Sequence, residues 1–127
     1  MCGRYTLTLP DYESLAHALG VAYVAEHAEA YRPRYNVAPT DVSWVLRVRE
    51  GKREIVPARW GFVGDGERDA SQGPRRINAR SETAAQIRPF REAFAKRRCI
   101  VPADGFYEWT GEKRDRRPVW FLSLIHI

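Results

Sequence analysis

Cysteine is scarce in this chain: Cys2 and Cys99 are the only two among 127 residues. Two thiols cannot build the disulfide framework of a small secreted fold. Histidine is equally thin, with three scattered copies, and neither residue type falls into metal-ligand spacing. No metal and no cofactor is expected. Long apolar runs are missing too. Nothing approaches the roughly 18 consecutive apolar residues of a membrane span, and the start of the chain lacks a basic-then-apolar export signal. The expectation is a cytoplasmic chain without a membrane partner. Acids are sparse where cations crowd. Between Arg75 and Arg98 lie Arg75, Arg76, Arg80, Arg88, Arg91, Lys96, Arg97 and Arg98, against Glu82 and Glu92. That stretch and a formal net charge of +5 favour a polyanionic partner.

What is present is ordinary for a folded domain. Hydrophobic residues make up 44% and aromatics 12%, too many for a disordered chain, and 127 residues suit one domain, 1–127, with one core. Thr8-Leu9-Pro10-Asp11 reads as a helix start with Thr8 as cap, and Leu15, Ala18 and Leu19 as the apolar stripe before a stop at Gly20. Residues 21–34 show weak periodicity and are left open. Arg34 to Thr40 reads as an ordered loop, with Pro39 biasing Ala38 towards an extended form. Val42, Trp44, Leu46 and Val48 alternate with polar neighbours as in a half-buried strand. Glu50-Gly51-Lys52 turns the chain, and Glu54 to Val63 returns as its partner. Gly64 to Pro74, rich in glycine and charge, reads as a mobile loop. Ile77 to Arg80 reads as a short extended piece. A helix is expected across Glu82 to Arg98, broken or restarted at Pro89, with Ser81 as cap. Ile100-Val101, Phe106 to Trp109 and Val119 to Leu122 read as strands. Strands dominate, so the predicted class is α+β with an antiparallel, barrel-like sheet and a few flanking helices. Cys99, at the head of an apolar run, is expected to be a buried core thiol.

Four features carry chemistry. Removal of Met1 would make Cys2 N-terminal, placing an α-amine and a thiol on adjacent carbons of one residue. The pair can trap an aldehyde, the amine as a Schiff base and the thiol by closing a five-membered thiazolidine. Alternatively the thiol attacks an acyl carbon with the amine as base. The competing reading is a chance Cys behind a retained Met1. Asn78 and Arg80 flank Ala79, so on an extended strand both point to one face, an amide beside a guanidinium suited to a phosphate. The competing reading is a surface Arg with a turn-capping Asn. Glu108 sits between Tyr107 and Trp109, either facing water or held in a partly apolar site, where its pKa would rise as a general acid needs. Trp60, Phe62, Tyr107 and Trp109 offer stacking faces for bases, although most such aromatics are simply core.

Met1-Cys2-Gly3-Arg4-Tyr5, Arg34-Tyr35-Asn36-Val37-Ala38-Pro39, Arg59-Trp60-Gly61-Phe62, Ile77-Asn78-Ala79-Arg80-Ser81-Glu82-Thr83 and Cys99 through Trp109 occur in one order. The series resembles the SOS-response-associated peptidase (SRAP) family, the abasic-site processing proteins, from Met1 to about Trp109. The resemblance implies a β-rich α+β domain with a basic cleft for single-stranded DNA, acting in the DNA damage response, nucleoid-associated and monomeric. It implies that Cys2, freed of Met1, attacks the ring-opened aldehyde of an abasic site and forms a thiazolidine DNA–protein crosslink. By the matching motifs, Asn78 would hold the Cys2 amine or the opened sugar, and Glu108 would act as general acid/base. Arg80 would bind a flanking phosphate, and Arg4, Asn36 and Pro39 would line the DNA cleft, with Trp60 among the DNA-binding residues.

Two departures stand out. Relatives usually carry a Pro and one or two Trp after the Trp-Gly motif, one Trp helping to wedge the DNA stack. Here Val63 to Arg68 holds no aromatic. Relatives also run on for roughly as much sequence again, including a catalytic His. Ser123-Leu124-Ile125-His126-Ile127 matches no family motif, residues 110–127 match poorly, and the ending resembles sequencing-adaptor read-through. The expectation is a fragment of a longer open reading frame. The rival functions are a thiol peptidase that removes its own Met1 or cleaves other chains, an N-terminal-nucleophile amidohydrolase, and a non-catalytic DNA-binding module.

Overall fold

A computed structural model of the chain describes residues 3–64 and 76–123. The expected loop over Gly64 to Pro74 lies almost wholly outside that range, as do Cys2 and the closing 124–127. The elements run in the order β1 (Arg4–Leu7), α1 (Tyr12–Leu19), α2 (Ala25–Ala30), β2 (Arg34–Val37), β3 (Val42–Arg49), β4 (Lys52–Arg59), α3 (Ser81–Ala84), α4 (Phe90–Lys96), β5 (Cys99–Ile100), β6 (Gly105–Thr110) and β7 (Arg117–Leu122). The class is α+β. One antiparallel sheet has the order β2-β1-β6-β7, and the other β4-β3-β5. Among the described residues the two sheets do not close into a barrel, so the barrel-like part of the expectation is corrected. No helix of the described residues is long and apolar enough to cross a membrane.

β3 and β4 form the hairpin that the alternation predicts, in unbroken register from Val42↔Arg59 to Arg49↔Lys52. Its two-residue turn needs positive φ at both centres, and Glu50 and Gly51 supply +52° and +76°. The partner strand ends at Arg59 rather than Val63, because Trp60 bonds into the Thr40–Asp41 turn ahead of β3 and Phe62 bonds the Arg76 carbonyl. α1 is capped by Asp11, whose side chain accepts from Ser14 N at 2.8 Å, and Gly20 closes it in a left-handed conformation. The cap is therefore Asp11 and not Thr8, whose hydroxyl is committed to Asp104. The break at Pro89 is present: α3 ends before it and α4 starts at Phe90. Ser81 is the first helical residue, with Arg80 in the cap position.

The core gathers Tyr5 and Leu7 of β1, Tyr12, Leu15 and Ala16 of α1, Tyr31, Val37 of β2, Trp44 and Leu46 of β3, and Ile55 of β4. Aromatic rings dominate it. Tyr12 lies 5.7 Å from Trp44 and 6.4 Å from Tyr31 in tilted and edge-on arrangements, the geometry that ring quadrupoles prefer. Tyr31 donates its hydroxyl to the Leu9 carbonyl at 2.9 Å, and burial, then the nearby Asp104 and Asp11, push its pKa up to about 12.

One buried acid clasps the first sheet. Asp104 accepts from Thr6 Oγ1 at 2.5 Å, from Thr8 Oγ1 at 2.7 Å and from the Thr8 amide. Its own amide donates to the Thr6 carbonyl at 3.1 Å, and its carbonyl accepts from Ser123 N at 2.8 Å. Burial pushes its pKa up, but the Thr6 and Thr8 hydrogen bonds outweigh that and hold the carboxyl below the usual range. β1, the β5–β6 connection and the residue that follows β7 meet at this one residue.

Candidate functional site

β1 is central in its sheet, so its flanks decide what surrounds the start of the chain. Arg4 pairs with Tyr107, Tyr5 with Phe106 and Thr6 with Gly105. Directly opposed residues share a face. Arg4, Thr6, Tyr107 and Trp109 therefore lie on one side, and Tyr5, Phe106 and Glu108 on the other. β2 adds Asn36 to the first side, since its neighbour Val37 is opposed to Tyr5.

That first side holds a cleft of about 300 Å³ lined by Arg4, Asn36, Tyr107, Trp109 and Pro118. A guanidinium, an amide and two aromatic faces come together there, the combination that suits a nucleic-acid strand. Tyr107 donates its hydroxyl to the Tyr35 carbonyl at 3.1 Å, fixing the ring across β1. Trp109 is 38% exposed, open enough to offer its face. Arg4 and Asn36, expected to lie together, both line this cleft, and Tyr107 and Trp109, read from the sequence only as general stackers, join them. The strand pairing is what unites them.

The second side opens into a larger, mainly apolar cleft of about 620 Å³ between the two sheets. Tyr5, Trp60, Phe62, Asn78, Cys99 and Phe106 are among its walls. Trp60 is fixed rather than free: its indole donates to the Ile77 carbonyl at 3.1 Å, and its ring centroid lies 5.4 Å from that of Tyr5. Phe62 N donates to the Arg76 carbonyl at 2.9 Å. These bonds hold residues 76–78 against the Trp-Gly motif and bring Asn78 into the cleft. Ile77 to Arg80 is not a regular strand. Asn78 lines the cleft, while Arg80 stands exposed at the head of α3 and belongs to neither cleft. Cys99 is exposed, which corrects the expectation of a buried thiol. β5 is only two residues long and lies at the edge of its sheet, so the side chain meets the cleft and not the core.

Pro39 sits in a turn closed by Asp41 N to the Ala38 carbonyl at 3.0 Å. Pro at its second position and a positive φ of 79° at Thr40 define a type II turn. The segment expected as a loop is thus a strand, β2, followed by this turn. Asp41 anchors both. It accepts from Ala38 N at 3.2 Å and pairs with Arg34 at 2.5 Å. The Ala38 amide, ahead of the Arg34 guanidinium, holds its carboxyl below the usual range despite partial desolvation. Thr40 N donates to the Trp60 carbonyl and Trp60 N to the Asp41 carbonyl, both at 2.9 Å. The Asn-x-x-Pro turn and the Trp-Gly motif are one bonded unit.

The family model described as SOS response associated peptidase (SRAP) matches residues 1–124. The chain belongs to the SRAP family. Among curated members of it, the chain is 34% identical over 109 residues to the abasic site processing protein YoqW of Bacillus subtilis, covering 86% of this chain and 48% of YoqW. It is 36% identical over 124 residues to YedK of Escherichia coli, covering 93% and 52%. Mouse HMCES is 34% identical over 150 aligned positions, covering 100% and 42%. All three carry the name abasic site processing protein. The chain spans about half the length of the curated SRAP relatives it matches.

Proposed function

We propose that this SRAP chain binds single-stranded DNA and processes abasic sites by forming a covalent thiazolidine crosslink through Cys2. The observation that carries the proposal is the pairing of Arg4 with Tyr107. It sets Arg4 on the Arg4–Asn36–Tyr107–Trp109 cleft, while Glu108, the next residue of β6, faces the other side of the sheet. Two residues of chain reach at most about 7 Å, so a nucleophile at position 2 cannot act far from Arg4. Removal of Met1 leaves the α-amine of Cys2 free. The amine condenses with the sugar aldehyde and releases water. The thiol sulfur then adds to the imine carbon, and its proton passes to the nitrogen. Glu108 shuttles the protons of imine formation, and Asn78 orients the amine or the opened sugar. Arg4, Asn36 and Pro39 hold the strand, with Trp60 supporting the cleft wall and Arg80 taking a flanking phosphate. Arg76, Arg91 and their cationic neighbours add the salt-sensitive attraction.

Intact mass of the chain after incubation with abasic single-stranded DNA tests this. A heat-stable adduct is expected from wild type and from Cys99→Ala, and none from Cys2→Ala. Cys2→Ser should also fail, because an oxazolidine hydrolyses far more readily. A Cys2→Ala chain that still forms the adduct overturns the assignment. Retained Met1 on a chain that crosslinks overturns the aminothiol chemistry.

A further inference from the structure

β2 meets β1 with an irregularity. Tyr5 is opposed to Val37 and Leu7 to Arg34, so two steps along β1 match three along β2. The extra residue makes a β-bulge in an edge strand, a device that re-aims side chains. In an unbroken strand Arg34 would share a face with Asn36. Here Arg34 lies opposite Leu7, a core residue, and leaves the cleft that Asn36 lines.

Arg34 instead lines a separate pocket of about 440 Å³, with His27 of α2, Arg32 just after it, Trp44 of β3 and Pro57 of β4. The volume suits a small molecule. Its lining divides in two. Trp44 is buried, its ring centroid lies 5.2 Å from that of His27, and Pro57 is opposed to it across the hairpin. His27 is held in turn by Tyr12 Oη, 3.3 Å from its Nδ1. These rings make an apolar floor.

The other part is cationic, and its donors are fixed before any ligand arrives. Arg32 folds back on the end of α2, where Nη1 donates to the Glu29 carbonyl at 2.8 Å and the Tyr31 carbonyl at 2.5 Å. Arg34 Nη2 pairs with Asp41 at 2.5 Å, and Nη1 reaches the Val42 carbonyl at 3.4 Å. A guanidinium has five N–H donors. Among the described residues these bonds leave Nε of both arginines, and Nη2 of Arg32, for a ligand. No acid among the described residues lines the pocket. Capping of α2 alone would account for Arg32, but not for the bulge that brings Arg34 into the same pocket.

We propose that this pocket binds one nucleotide, its base on the Trp44–His27–Pro57 floor and its phosphate on the Arg32 and Arg34 forks. Guanidinium forks match phosphate oxygens, and aromatic floors take planar bases. A bare phosphate would leave the floor uncovered, and an uncharged ring would leave the forks unpaired. The same chemistry comes from a free nucleoside monophosphate or from the 5′-phosphorylated end of a strand. The site uses neither Cys2 nor an aldehyde, so it stands or falls apart from the crosslink.

The test titrates the isotope-labelled chain with deoxyadenosine 5′-monophosphate and with 5′-phosphorylated oligodeoxyadenylate, neither of which holds an abasic aldehyde. The Trp44 indole signal should shift and saturate with at least one of them. Saturation by the monophosphate assigns the source to a free nucleotide, and saturation by the oligonucleotide alone to a strand end. Arg32→Gln, at an exposed side chain, should keep the Tm and weaken this binding by at least about tenfold. Arg32→Lys, which keeps the charge and loses the fork, should fall between. Arg49→Gln, at the far end of the hairpin, should leave it unchanged. A shift confined to Trp109 overturns the proposal, because the ligand then sits in the Arg4–Asn36 cleft. Equal affinity for deoxyadenosine, for inorganic phosphate or for the 5′-hydroxyl oligonucleotide also overturns it, as does an equal loss in Arg49→Gln. A Trp44 signal that no probe moves does the same.

Discussion

Replacing Asp104 tests what holds the start of the chain in place. The side chain is 6% exposed and accepts three hydrogen bonds, from Thr6 Oγ1, Thr8 Oγ1 and Thr8 N. Bonds to an ionised acceptor contribute about 1.5–3 kcal/mol each, partly offset by the cost of burying the charge. In Asp104→Ala all three vanish and the Thr6 hydroxyl, which is fully buried, loses its acceptor. The net loss should be about 3–4 kcal/mol, or about 10–15 °C in Tm for a chain of this size. Asp104→Asn should cost less, about 1–2 kcal/mol. Its oxygen can still serve the Thr8 amide, while its NH₂ forces Thr6 to turn and accept. The pH dependence separates charge from shape. The folded pKa of Asp104 lies below its ordinary value. Its contribution is then complete above the unfolded pKa of about 3.9 and is lost as pH falls through the folded one. Thermal melts of wild type and Asp104→Asn between pH 7 and pH 3 measure this. The gap between the two should narrow towards the acid end. A gap below about 0.5 kcal/mol at pH 7, or one that stays constant to pH 3, refutes the clasp.

Gly105→Ala should destabilise by about 2–3 kcal/mol, because the new Cβ would lie 2.9 Å from both the Phe121 carbonyl oxygen and Thr6 Oγ1, and against the Trp120 indole; urea titration reads the change. Thr40→Asn should stabilise by about 0.5–1 kcal/mol, since a β-branched residue at a φ of 79° is strained where Asn is tolerated; the same titration checks it. Trp60→Phe should cost about 1 kcal/mol through loss of the bond to the Ile77 carbonyl and should raise exchange of the Phe62 amide. Affinity for single-stranded DNA should fall steeply between about 50 and 200 mM salt, and Arg4→Ala should make that fall shallower.

Elements with a clean period were legible in the sequence. The Val42–Val48 alternation gave the β3–β4 hairpin its place, and Pro89 gave the helix break. β1 was not legible, because Tyr5, Thr6 and Leu7 are all buried and a strand buried on both faces shows no alternation. β2 was hidden by the turn signals of Asn36 and Pro39, which belong to its end. Of the candidate site, the residue types were legible and their grouping was not. Arg4, Asn36 and Tyr107 are united by the pairing of Arg4 with Tyr107, 103 residues apart, and by that of Tyr5 with Val37, 32 apart. Asn78 and Trp60 meet through an indole bond across 17 residues. Asp104 was passed over because its partners lie 96 and 98 residues away.

The Asp104 clasp also sets a timetable. The Thr6–Asp104 bond spans 98 residues, whereas the β3–β4 hairpin closes over two. Distant pairings form after local ones. On a ribosome adding about 5–20 residues per second, β1 waits on the order of 5–20 s for β6 to be made. Through that interval the leading residues stay unclasped and open to the enzymes that trim a nascent chain. Any processing of Met1 is thus favoured before β1 is paired, and an inserted delay between β5 and β6 would lengthen the opportunity without touching the site.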